Sequence, residues 1–119
     1  MANFNAHATG GFLAPLALVI LYFLRFGLIP PLIDSNAAIL LLSALIGLIC
    51  GLLPDTLEPP TNPRHRGVFH YFVGTLCFAG LAITLIDVTS FQSWLTDASK
   101  FLFLSAVAGY ASHFALDIF

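Results

Sequence analysis

Charge is what this sequence has least of. Asp, Glu, Lys and Arg make up 8% of the 119 residues, against about 25% in soluble globular domains, and the formal net charge is -2. Such a chain offers no basic surface and no acidic tail, which excludes nucleic-acid binding. It has 2 cysteines and no paired-cysteine motif, arguing against a structural zinc or an iron–sulfur site. Cys50 and Cys77 fall inside apolar runs, as small buried thiols do. No internal repeat, phosphate-binding glycine loop or Gly-Ser linker is present.

What is there is apolar. Hydrophobic residues are 59% of the chain and the mean hydropathy is +0.96. Apolar stretches at 12–29, 37–53, 68–86 and 101–119 approach the roughly 20 residues that cross a bilayer as a helix. Turn-rich breaks separate them: "PPLIDSN", "PDTLEPPTNPRHRG" and "DVTSFQSWLTDASK". Backbone groups in lipid must be satisfied within the segment, so the sequence predicts an all-α integral membrane bundle of about four transmembrane helices, one domain over 1–119. The first stretch lacks a basic leader and is followed by Pro30 and Pro31 instead of a small-residue cleavage site, so it is expected to be a retained span. Arg64 and Arg66 fall on one side and Arg25 and Lys100 on the other, which leaves the positive-inside count tied; we place both termini in the cytoplasm. Arg25 ends a span, where snorkelling suffices, and Trp94 and Tyr22 are expected in an interfacial belt on the side opposite the termini. Gly47 and Gly51 form a G-x-x-x-G pair, and with Gly74 they permit close helix approach, within the chain or in a homo-oligomer.

Threading the spans puts every histidine on one side. His7 precedes the first span, Asp55 and Glu58 follow the second, His65 and His70 open the third, and His113 and Asp117 close the fourth. His113 and Asp117 are four apart, about 40° around a helix, on a face shared with Tyr110. His65 and His70 would diverge by about 140° on a straight helix, so the chain must bend at Gly67 for both to reach one centre. Ionisable groups inside spans are costly and by default functional; the plain alternative is a hydrogen-bonded pair that ties helices together. Imidazoles mixed with carboxylates suit a divalent metal, zinc first and manganese or iron next. His7, Asp55, His65, His70, His113 and Asp117 exceed what one ion needs, leaving either two ions or one ion with carboxylates orienting the imidazoles. Arg64 reads as a juxtamembrane anchor, whereas Arg66 is placed to pair with a phosphate or a ligating carboxylate.

The blocks "LLPD" at 52–55, "HRGVFH" at 65–70 and "GYASHFALD" at 109–117, preceded by His7, resemble the inner-membrane-associated metal-dependent hydrolases, small multi-span bacterial and archaeal proteins that include a LexA-regulated member. The resemblance implies an inner-membrane hydrolase whose metal is held by the histidines and aspartates of these blocks. Where many relatives read Asp-x-Asp, this chain has Asp55-Thr56-Leu57 with Glu58 beyond, and Tyr71 follows His70 in place of the usual Ser. The expected activity is hydrolysis of a phosphoester or ester, with a lipid the natural substrate. Arg66 would meet the anion, and Asp55 or Glu58, where not ligating, would act as general base. A metal carrier and a small non-catalytic regulatory subunit are the rival readings.

Overall fold

The computed structural model describes residues 4–57 and 71–118. Within them every regular element is helical: α1 (Phe4–Phe26), α2 (Pro31–Ser35), α3 (Ala38–Leu57), α4 (Val73–Ile86), α5 (Val88–Thr96) and α6 (Ala98–Ile118). The boundaries follow from local chemistry. Gly27 takes φ +73°, a left-handed conformation cheap only for glycine, and its N–H donates to Phe23 O at 2.7 Å, closing α1. Asp87 caps α5 by accepting from Thr89 N at 3.0 Å and Ser90 N at 3.2 Å. Asp97 starts α6 the same way, accepting from Lys100 N at 3.1 Å.

α1 begins well before residue 12 and takes in His7, which the sequence placed ahead of the first span; α3 runs on past residue 53 and takes in Asp55. The segment expected as the third loop holds a nine-residue helix, α5, whose Phe91 and Leu95 stand one turn apart and are both buried. Its Asp, Thr and Ser residues looked like turn signals because they are caps.

The interior is assembled on small residues spaced four apart. Along α1 the inward positions are His7, Gly11 and Pro15; along α3, Ser43, Gly47 and Gly51; along α6, Phe101, Ser105, Gly109 and His113. The Gly47 carbonyl oxygen occupies the place where a Cβ would stand on either Gly11 or Gly109, so the three backbones meet at one glycine seam. Pro15 has no N–H to offer the Gly11 carbonyl, and that oxygen lies against Gly47 on α3. The Gly47–Gly51 spacing therefore serves contacts within the chain. Gly74 does likewise between α4 and α6, where a Cβ would stand 2.9 Å from the Phe114 ring. At the other end of the bundle Leu18, Tyr22, Phe91, Leu95, Phe101 and Leu104 form an apolar plug. Tyr22 is 2% exposed and packs edge-on to Phe91, so it belongs to this core and not to an interfacial belt.

The outside is greasier than the inside. Leu24 on α1, Ile49 on α3, Ile83 on α4 and Phe103 on α6 are each more than half exposed, while Ser43, Ser105, His7 and His113 are buried. α1 and α3 are long and apolar enough to cross a membrane, consistent with membrane association, and a third span exists only if the bent pair α4–α5 counts as one. The four spans expected are therefore not supported: among the described residues two helices, or three with that pair, are long and apolar enough to cross. α4 has 14 residues, about 21 Å of rise against a hydrocarbon core of about 30 Å, and the chain then turns by 103° into α5. α6 sits at the centre, packed on α1, α3, α4 and α5, and its inward polar residues lower its hydropathy.

A methyl group added at the seam has nowhere to go. Gly47→Ala should cost about 1–3 kcal/mol of unfolding free energy in detergent. Gly80→Ala, whose new Cβ meets nothing within 4 Å, should be neutral or stabilising by up to about 1 kcal/mol.

Candidate metal centre

The three stripes end together. Their direction along the bundle brings the start of α1 beside the last turns of α3 and α6, so His7, Asp55, His113 and Asp117 converge from three helices. His7 is 1% and His113 0% exposed. The Asp117 side chain is 7% exposed and that of Asp55 30%, so the cluster is shut on the bundle side and open at Asp55.

Each imidazole has one nitrogen fixed by an acceptor. His113 Nδ1 lies 2.6 Å from Gly51 O, and a carbonyl can only accept, so Nδ1 carries the hydrogen. In the neutral ring Nε2 then presents a lone pair, and it meets Asp117 Oδ2 at 3.2 Å and Asp55 Oδ1 at 3.5 Å. His7 Nε2 lies 3.1 Å from Asp117 Oδ1; with the hydrogen on Nε2 donating there, the lone pair falls on Nδ1. His7 Nδ1 is buried and has no hydrogen-bond partner among the described residues. The two rings stack in parallel, centroids 3.5 Å apart and planes 8° apart.

Two carboxylates against two imidazoles in a bundle interior need positive charge, supplied by protons or by a cation. The donor set fits a divalent metal ion. His7, Asp55 and His113 each offer a ligand atom, all within 4.8 Å of one another. Ligands about 2.1 Å from a tetrahedral ion stand ~3.4 Å apart, so side-chain torsions that draw them in by about an ångström would suffice. Three protein ligands with one position left over is the pattern of catalytic zinc, and an imidazole whose second nitrogen donates to a fixed carbonyl or carboxylate is the usual orienting device.

Of the residues singled out in the sequence, the structure brings His7, Asp55, His113 and Asp117 together. The facing of His113 and Asp117 on one turn of helix is as the spacing predicts. Glu58, Arg66, His65 and His70 lie outside the described residues. Sequence reasoning missed Gly51, whose carbonyl fixes the His113 ring; its glycine spacing signalled packing only. Cys50 and Cys77 are half-buried free thiols, apart from this cluster of ligands.

No family model, curated protein or solved structure matches this chain.

Removing one ligand should separate metal binding from folding. Purified protein should take up one equivalent of zinc or cobalt per chain, followed by metal analysis and by the visible bands of Co(II). Asp55→Asn, at a half-exposed position, should weaken uptake by about 10–100-fold with little change in helicity. An unchanged Co(II) titration in that variant would remove Asp55 from the centre.

Proposed function

We propose that this protein is a membrane-embedded metal-dependent hydrolase with its centre at one end of the helical bundle. The observation that carries the reading is the convergence of His7, Asp55 and His113, whose ligand atoms all lie within 4.8 Å of one another. Gly51 O fixes the His113 ring through Nδ1, and Asp117 Oδ1 lies 3.1 Å from His7 Nε2. In this reading His7, Asp55 and His113 hold a single divalent ion, zinc in first place and manganese or iron as alternatives. Asp117 holds both imidazoles in position and balances the charge.

The ion would supply Lewis acidity and lower the pKa of a bound water. The chain's own part is orientation and the exclusion of bulk water from the bundle side. Asp55, the more exposed carboxylate, lies where a substrate would enter. The substrate class we propose is a phosphoester or ester, with a lipid headgroup favoured because it reaches the end of a bundle without leaving the bilayer. His65 and His70 as ligands of a second ion, Arg66 as the contact for substrate anion and Glu58 as an alternative base belong to the same proposal. So do membership of the inner-membrane hydrolase family, a bacterial or archaeal inner membrane and a cytoplasmic site.

A metal carrier would use the same ligands but needs a polar route across the membrane. The far half of the described bundle is filled by Leu18, Tyr22, Phe91, Leu95, Phe101 and Leu104, which favours hydrolysis over transport.

The test is a phosphodiesterase and phospholipase assay on metal-loaded protein in lipid. Activity should disappear on chelation and return with the metal, and His113→Ala should lose at least about 100-fold in kcat/KM. Turnover that survives His113→Ala would sink the hydrolase reading, and metal flux into liposomes without hydrolysis would favour the carrier.

A further inference from the structure

Along one flank of the bundle, α1 and α4 both pack on α6 but barely touch each other. The gap between them is a groove. One stretch, about 210 Å³, is floored by Ala108, Ala111 and Ala115 of α6 and walled by Leu21 of α1 and Leu85 of α4. A second stretch, about 330 Å³, shares Leu21 and Leu85 and ends at Phe91 and Arg25. The two adjoin at Leu21 and Leu85, one with a methyl-lined floor and the other ending at a single guanidinium, and we read them as one trough.

We propose that this trough is a lateral binding site for one anionic phospholipid, its phosphate on Arg25 and an acyl chain lying over Leu21 and Leu85 onto the alanine floor.

Three observations select that occupant. The first is polarity: apart from Arg25 the lining is almost entirely hydrocarbon, so water gains no partners in the trough and an alkyl chain does. The second is length. The α1 wall from Arg25 to Ala14 is about 16 Å of helix rise, enough to lie along much of an acyl chain, and the α6 floor continues to Ala115. The third is charge. Arg25 is exposed and makes no ion pair among the described residues, and Asp87 and Asp97 cap α5 and α6. An unpaired guanidinium at the mouth of an apolar slot complements a phosphodiester oxygen pair, which it can meet with two parallel hydrogen bonds. Lys100, the other cation of this end, donates to Ser93 Oγ at 3.0 Å and does not line the trough, which makes it a control.

The experiment is native mass spectrometry of the full chain titrated with phosphatidylglycerol or phosphatidylcholine of matched acyl chains. The wild type should retain one phosphatidylglycerol with about fivefold preference or more, the order expected for one interfacial cation. Arg25→Gln should abolish that preference. Ala17→Phe, which fills the trough from an exposed position on α1, should lower retention of both lipids. Lys100→Gln should change neither. Preference that survives Arg25→Gln, full retention by Ala17→Phe, or several lipids held equally regardless of headgroup would each overturn the site. The readouts involve no metal and no turnover.

Discussion

The glycine seam is the constraint on which the rest of the structure depends. Helices with ordinary side chains pack with axes 8–10 Å apart, whereas here backbone meets backbone along one seam. Gly11, Gly47, Gly51 and Gly109 remove the Cβ atoms that would hold α1, α3 and α6 apart. Because these positions recur every four residues on each helix, the same stripe that closes the backbones continues into His7, Asp55, His113 and Asp117 at the end of the bundle. Gly51 shows the coupling directly. Its missing side chain admits the backbone of His7, where a Cβ would stand 2.9 Å from that residue's carbonyl oxygen, and its own carbonyl accepts from His113. Packing and ligand orientation are served by one residue.

The same seam explains the distribution of polarity. In lipid there is no hydrophobic drive to bring helices together, so association rests on close contact and interhelical hydrogen bonds. This chain places serine, glycine and histidine inward and leucine, isoleucine and phenylalanine outward. α6, central and less apolar than α1, α3 and α4, is shielded by its neighbours instead of spanning on its own hydropathy. The far end of the bundle is packed differently, by aromatic and leucine side chains under the α5 cap. The contrast leaves one polar and one apolar pole, and it leaves α1 and α4 separated along the flank of α6.

The sequence by itself determined the helical class, the apolar spans, and the placing of His7, Asp55, His113 and Asp117 at one end. These follow from composition and from the period of the helix, which fix faces and ends without knowledge of neighbours. The i, i+4 pairing of His113 with Asp117 was legible for that reason, and so was the close approach at Gly47, Gly51 and Gly74. Only the tertiary structure decided that α5 is a helix bent by 103° from α4, and that His7 belongs to α1. It alone showed Tyr22 as core, the Gly51 carbonyl as the partner of His113, and the stacking of His7 on it. Contacts of that kind join residues as much as 110 positions apart. They depend on helix rotation and axial offset, which the glycine seam fixes once the backbones touch and no local pattern of residues can encode.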